Sequence, residues 1–396
     1  MSGGRRVPDG AEYPPIAVLL GGRSAEHDVS IVSGTAIADA LNDAGLDVAQ
    51  VLIDLDGQWW WLPSGHRRDG RPQAAYDDPA LLGADGPYRV GAAIDRLAGV
   101  SVSPTAGSGR GAAARREVPP LVFIALHGPF GEDGVVQGLL EAAGLAYTGS
   151  GVLGSAVGMD KAVQKRIWRG LGLPVVDWRE VPQAAWRAGH EAVLGELEAF
   201  AAAGGDPRLM IKPARLGSSV GMTLAHTPAE REGALDLAFD YDTVAIVERY
   251  LAEARDLEVA VIGNDLPLGL YGPGEIVAGH EFYDYAAKYT PGLSETSIHA
   301  EIPAAMRATM LKYARDAYRS VGAAGFARVD FLLRGDEVFL SEINTIPGFT
   351  PISLFPTMPA EAGLDFTAVC LRVIDLALER HAARPGASLR AEDLPR

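Results

Sequence analysis

Between Phe326 and Leu354 the chain reads FARVDFLLRGDEVFLSEINTIPGFTPISL, two strands joined by a tight turn. Arg328 and Asp330 sit two apart on the first strand, and Glu342 and Asn344 two apart on the second, so each pair points to one face. If Gly335, Asp336 and Glu337 form a three-residue loop, Asp330 lies opposite Glu342 and Arg328 opposite Asn344. A two-residue loop would separate them unless a bulge intervened. Two carboxylates, an amide oxygen and a guanidinium at one spot suit a Mg²⁺ ion that also holds phosphate oxygens. Val329, Phe331, Phe339 and Ile343 are expected to make the other face apolar and buried. A solvated surface hairpin is the plainer reading, and it does not explain why the charges align.

The rest of the composition sets the frame for such a site. A chain of 396 residues, 48% hydrophobic, supports two or three domains with real cores. Its formal net charge of −16 argues against nucleic acid or an anionic membrane as partner, so a polyanionic ligand would need locally placed cations. The single cysteine, Cys370, permits no internal disulfide and reads as core packing in a reducing compartment. No long uncharged apolar span is present, and a soluble cytoplasmic protein is expected.

In chain order, a flexible tail to about residue 15 leads into an N-terminal α/β domain over 16–149. Its cues are the strand Ile16 to Leu20, the helix-like SAEHDVSIVSGTAIADALNDAG, the strand VAQVLIDL and the buried strand LVFIAL. The Trp59-Trp60-Trp61 cluster reads as packing, and residues 63–118 as a Gly/Ala/Arg/Pro-rich insertion. A central region over 150–247 carries a helix ending before Pro174 and the strand-loop-strand LMIKP, ARLGSSVG, MTLAHT. A third region, 248–380, holds the aromatic loop EFYDYAAKYT, a helix from about Pro303 to Gly322 and the hairpin; 381–396 reads as a second tail.

Several candidate sites follow. The loop KPARLGSSVGM offers Lys212, close backbone approach at Gly217 and Gly221, and the donors Ser218 and Ser219, a set suited to anionic oxygens. Lys161 at a helix start and Lys288 in the aromatic loop could join it or be solvated. Glu26 and His127 each follow a strand of the first domain, where open α/β sheets bind ligands. A lone GxGxxG, Gly149 to Gly154, with Asp177 beyond it, would suit a dinucleotide; no complete βαβ unit surrounds it, and a hinge between domains is the alternative. There is no Walker A motif.

Taken together, LLGGRSAEHDVS, ALHGPFGEDG, YTGSGVLGSAVGMDK, IKPARLGSSVGM, ERYL with DLEVAVIGN, FYDYAAKY, and ARVDF with SEINTIPGFTPISL resemble the D-alanine–D-alanine ligases of the ATP-grasp superfamily, from roughly Ile16 to Leu376. The resemblance implies a three-domain architecture, with an open parallel α/β domain for the amino acids and two sheet-containing domains sandwiching ATP. It assigns Lys161 and Lys212 to the phosphates and Ser218 and Ser219 to the loop closing over them. Glu248 and Leu251 would face adenine, and Asp256, where the family usually has glutamate, would hold the ribose with help from Glu258 or water. Asp330, Glu342 and Asn344 carry over as ligands of Mg²⁺ or Mn²⁺, with two ions expected. Arg328 and the backbone of Gly348 match the oxyanion site, and Glu26 the first ammonium anchor. Ser353 and Leu354 match the second carboxylate site, and His127 a place near the reacting carboxylate. Val135 stands where the family has threonine.

The implied reaction forms an acylphosphate from D-alanine and ATP, which the amine of a second D-alanine attacks. Lys288 and Tyr289 would close over it, with Tyr289, Ser218 and Glu26 handling the amine, and that Lys-Tyr pair favours an amine acceptor over a hydroxyl one. A homodimer and an activating monovalent cation are further implications of the resemblance. Three other readings compete: a nicotinamide-dependent oxidoreductase, a nucleotide-binding regulatory module without turnover, and a ligase of the same superfamily for another carboxylate and amine.

Overall fold

The computed structural model describes residues 13–99, 120–278 and 294–384. Three sheets organise the chain, and each follows from the local pattern of its strands. The first contains β1 (Ile16–Gly21), β2 (Val48–Ile53), β3 (Trp59–Trp61), β4 (Asp85–Tyr88) and β5 (Leu121–Ile124), ordered β4-β3-β2-β1-β5. β1 pairs in parallel with both β2 and β5, and it is buried along its whole length. Near-continuous apolar strands are what a parallel sheet covered on both faces requires. β3 and β4 add antiparallel at the edge, with Trp59 buried and Trp60 and Trp61 half-buried.

The second sheet holds β6 (Trp178–Pro182), β7 (Leu209–Pro213), β8 (Thr223–Ala225) and β9 (Val244–Arg249), all antiparallel in the order β6-β9-β7-β8. The third holds β10 (Arg255–Ile262), β11 (Gly269–Ala278), β12 (Ser294–Ser297), β13 (Phe326–Arg334) and β14 (Glu337–Asn344), ordered β12-β11-β10-β13-β14. The helix Lys161–Gly170 reaches toward both, and Leu340 N–H of β14 donates to the Pro174 carbonyl, 2.8 Å. One apolar core joins the helices His27–Asp43 and Phe366–Ala382 to β1 and β5, closed by the aromatic group Phe326, Phe349 and Phe355.

Several boundaries differ from expectation. Tyr13 is buried and donates to Asp375, 2.9 Å, so the described end of the N-terminal tail is anchored. The first part of the 63–118 segment is ordered: Tyr76 and Tyr88 are buried, and the helix Val90–Leu97 packs Ala93 and Leu97 inward. Glu248 belongs wholly to the second sheet, so the chain passes to the third after Arg249. The last helix runs to Ala382, and Arg384 reaches Glu141 at 2.7 Å, beyond the expected limit at 380.

The hairpin settles the register question by the less simple route. Its turn is two residues, Gly335 and Asp336, since Arg334 pairs with Glu337, and a bulge at Ser341 then shifts the frame. Beyond it Asp330 faces Glu342 and Arg328 faces Asn344. The frame shift also replaces one expected core residue: Leu340 is buried, whereas Phe339 pairs with Leu332 and is half-buried.

Candidate active site

A cavity opens between the second and third sheets. It is lined from one side by Lys161, Lys212 and Glu248 and from the other by Asp256, Glu258, Arg328, Asp330 and Glu342, with the loop Gly217 to Val220 at its edge. Register explains the acidic wall. Glu258 on β10 faces Asp330 on β13, which faces Glu342 on β14, so three carboxylates stand in a row across neighbouring strands. Like charges placed opposite each other destabilise a sheet, and cations offset the row here. Arg328 grips Asp330 through two bonds of 2.7 Å and lies 3.2 Å from Glu258. Asn344 Nδ2 donates to Asp330, 2.9 Å. Despite burial, Asp330 and Glu258 hold the Arg328 guanidinium well above its ordinary value.

The helix Lys161–Gly170 begins at an Asp160 side chain that caps Val163 N–H, and it points Lys161 and Lys165 inward one turn apart. Lys161 Nζ donates to the Leu216 carbonyl, 2.7 Å, and sits 3.0 Å from Glu342. Lys165 is fully buried and pairs with Glu248 Oε1, while Lys212 on β7 lies 2.8 Å from Glu248 Oε2. Burial alone would raise the Glu248 carboxyl, but the two ammoniums outweigh it and bring it down to about 2. Burial opposes the charge on Lys212 as well, yet Glu248 and Glu342 hold it above its ordinary value. The Glu248 carboxylate is therefore taken up by lysines. A purine contact would fall to its neighbours Tyr250 and Leu251, which also line the cavity.

The glycine-rich loop closes onto the first domain. Ser218 and Ser219 both have left-handed backbones, φ 50° and 57°, and Ser218 Oγ donates to Glu26 Oε1. Residues other than glycine pay for this conformation, which is found where surrounding contacts impose it. Two glycines make room for the Glu26 carboxylate. A Cβ on Gly128 would stand 2.6 Å from Oε2, and one on Gly217 2.9 Å from the same atom.

His127 is buried, and both its ring nitrogens are engaged. Nδ1 is 3.0 Å from the Ile346 carbonyl, which only accepts, so Nδ1 carries the proton; Nε2 is 3.0 Å from the Ser33 hydroxyl. Burial pulls its pKa down to about 4. Ser33 also receives Phe349 N–H, 3.4 Å, so a neutral His127 braces the turn containing Gly348. Ser353 caps that turn from its far end through Thr350, 2.7 Å between hydroxyls, while the Leu354 side chain is buried in the core, leaving its backbone for any ligand contact. Val135 is exposed, and Asp133 accepts its N–H at 3.0 Å, a capping role that does not need the family's threonine.

The structure thus gathers Glu26, Ser218 and Ser219 with Lys161, Lys212, Glu248, Leu251, Asp256, Arg328, Asp330, Glu342 and Asn344. Gly348, Ser353 and His127 stand on or behind the adjoining turn. Lys288 and Tyr289 lie outside the described residues. Sequence reasoning passed over Lys165, although its spacing from Lys161 was a signal. It also passed over Glu132, a buried carboxyl that accepts Gly128 N–H at 2.7 Å and is pushed well above the ordinary range by burial and then by Glu26. The GxGxxG segment is a packing device. A Cβ at Gly154 would meet the Gly322 carbonyl at 2.5 Å, and Asp177 is paired with Arg169 and Arg249.

Among the described residues no group of three His, Cys, Asp or Glu side chains is placed to hold a metal ion; the candidate set is the smaller one of Asp330 and Glu342 with the Asn344 amide. Two carboxylates completed by an amide and by ligand oxygens is the arrangement Mg²⁺ favours. No described helix is long and apolar enough to cross a membrane.

Comparison with known proteins agrees with this fold. The family models for the D-ala D-ala ligase N-terminus and C-terminus match residues 15–150 and 167–375. A D-alanine–D-alanine ligase of Heliobacterium modesticaldum is 39% identical over 376 residues, covering 92% of this chain and 95% of its own. One from Deinococcus radiodurans is 39% identical over 371 residues, covering 92% and 98%. Among solved structures, the D-alanine–D-alanine ligase of Coxiella burnetii superposes with a TM-score of 0.71 at 31% identity, covering 94% of this chain and 96% of that one. The VanG D-Ala:D-Ser ligase of Enterococcus faecalis gives 0.75 at 30%, covering 92% and 99%. With the ATP-grasp fold and both family segments in place, the chain belongs to the D-alanine–D-alanine ligase family.

Proposed function

We propose that this protein joins two D-alanines into D-alanyl-D-alanine for peptidoglycan precursors, using ATP and releasing ADP and phosphate. The observation that carries this reading is the Ser218 to Glu26 contact, which joins the glycine-rich phosphate loop to a carboxylate suited to a substrate ammonium. A regulatory binder of nucleotides would have no use for that junction.

In this reading the first D-alanine places its ammonium against Glu26 and its carboxylate toward Arg328. That carboxylate attacks the γ-phosphorus of ATP, forming an acylphosphate and releasing ADP. Lys161 and Lys212 hold the phosphate oxygens and offset the charge that builds on them. Asp330, Glu342 and Asn344 would hold Mg²⁺ or Mn²⁺, two ions in all, which neutralise phosphate charge when bound. The second D-alanine presents its carboxylate to Ser353 and the Leu354 backbone, and its amine attacks the acyl carbon. Arg328 and Gly348 N–H stabilise the resulting oxyanion, and phosphate leaves. Ser218 and Glu26, with Tyr289, take up the amine's proton. Water would hydrolyse the acylphosphate, and the family resemblance gives its exclusion to Lys288 and Tyr289. Tyr250 and Leu251 flank adenine and Asp256 the ribose; Glu258, already paired with Arg328, is less free for that task. The unit functions as a cytoplasmic homodimer with a monovalent activator, and without membrane or nucleic-acid partners.

The test is ADP release from Mg-ATP with D-alanine, compared with L-alanine, D-serine and D-lactate as acceptor. D-alanine is expected to give the fastest turnover. Release of ADP with none of these would exclude the reading, and faster turnover with D-alanine plus D-serine would move the acceptor toward that of the VanG relative.

A further inference from the structure

We infer that Lys165 is a positioning residue for the nucleotide phosphates, acting through Glu248 on Lys212. This rests on the ATP reading above. Lys165 is fully buried and does not line the cavity, so it cannot touch a ligand there. An ammonium in such a place is costly unless paired, and a methionine would fill the same volume without that cost. Its ammonium pairs with Glu248 and lies 5.9 Å from the Trp178 ring centroid, with Lys212 and Glu342 acting on it from further away.

Glu248 divides its two oxygens between Lys165 and Lys212. That division has an electrostatic result. A carboxylate shared by two ammoniums cancels only part of the charge of each, so Lys212 keeps surplus positive charge at the cavity wall. Glu342 and Asp256 also act on Lys212, but in the proposed complex they face metal and ribose. Without Lys165, Glu248 would turn wholly to Lys212, neutralise it and draw it back from the phosphates. Geometry supports the same division of labour: Glu248 is held by Lys212 on the paired strand β7 and by Lys165 on the helix Lys161–Gly170.

The test compares wild type, Lys165→Met and the double variant Lys165→Met/Glu248→Gln, by calorimetric titration with Mg-ATP and with adenosine, beside steady-state kinetics and thermal melts. Lys165→Met leaves no orphaned charge, since Glu248 keeps Lys212, so folding is expected to persist. Its Kd for Mg-ATP should rise about tenfold, the effect of weakening one charge-assisted contact. Adenosine binding and the KM for D-alanine should stay unchanged, and the double variant should recover most of the lost affinity. Wild-type affinity for Mg-ATP in Lys165→Met, or an equal loss for adenosine, or no recovery in the double variant, would each overturn the inference. Should wild type itself fail to bind Mg-ATP, the nucleotide reading falls and this inference with it.

Discussion

Lys161 and Lys212 reach the cavity from a helix and from β7, with Lys165 buried behind them, whereas Glu258, Asp330 and Glu342 reach it from three adjacent strands of another sheet. The acidic wall is placed by backbone register, since each carboxylate stands opposite the next through paired strands. The basic wall is placed by its counter-charges: Lys161 by Glu342 and the Leu216 carbonyl, Lys165 and Lys212 by Glu248. A strand position cannot be moved without moving a ladder of hydrogen bonds. A lysine head group swings on a flexible stem and goes where charge draws it. In the proposed function, the wall that would hold a small ion at fixed distances is the rigid one, and the wall that would follow a transferring phosphate is the adaptable one.

The sharpest way to break this comparison is at the centre of the acidic row. Asp330→Asn should reduce kcat/KM for ADP formation by about 10³-fold, because one ion ligand and one grip on Arg328 go together. Its melting temperature should change little, as Arg328 retains Glu258. Near wild-type turnover at saturating magnesium would remove Asp330 from the metal site.

A second experiment reads the brace behind the rigid wall. His127 has a folded pKa of about 4 against an ordinary value of 6.5. Between those values the unfolded chain binds a proton that the folded one refuses, so stability is complete above pH 6.5 and falls as pH drops toward 4. The full span amounts to about 3 kcal/mol. Denaturant melts across this window should show the slope in wild type and a flatter curve in His127→Gln. Equal slopes in both would mean that other groups carry the acid sensitivity.

On the adaptable wall, Lys212→Met should raise the KM for ATP by about 10²-fold, with a smaller effect on the KM for D-alanine. Glu248 would still be paired with Lys165, so the variant should fold. An equal loss for both substrates would mean that Lys212 organises the whole cavity and not the phosphates alone.

The smallest effect is expected at the hairpin turn. One glycine added after Asp336 lengthens an exposed two-residue loop far from the bulge, and lengthening a surface loop costs under about 1 kcal/mol. Activity should survive. Loss of turnover would show that the turn, and not the bulge at Ser341, sets the register of Asp330 and Glu342.

Much of this was legible beforehand, for identifiable reasons. Period-two alternation in FARVDF and SEIN put Arg328 with Asp330 and Glu342 with Asn344 on shared faces, and the unbroken apolar run LVFIAL announced β5 as a buried strand of a parallel sheet. The bulge was not legible, because nothing local distinguishes Ser341 from its neighbours; it appears only once the turn length and the buried face both have to be satisfied. That ambiguity is why Phe339 was expected in the core where Leu340 lies. The pairing of Glu258 with Arg328 depends on the register of β10 against β13, strands far apart in sequence, and no short-range pattern encodes it. Lys165 was legible in principle, one helical turn beyond Lys161, but burial of a lysine contradicts its usual surface role. Glu132 was visible as part of the GED sequence, yet its carboxyl is pushed up by burial and then by Glu26, more than a hundred residues away, and neither shows in the local sequence.

The Glu26 cradle has a thermodynamic consequence. Because Gly128, Gly217 and Ser218 meet around one carboxylate, seating the glycine-rich loop and ordering Glu26 are a single event, which the proposed function shares between its nucleotide and amino-acid sites. A nucleotide that draws the loop down thereby prepares the amino-acid site, and by reciprocity an amino acid at Glu26 must strengthen nucleotide binding by the same factor. The two ligands are thus expected to bind cooperatively within one subunit, with no second copy of the chain required.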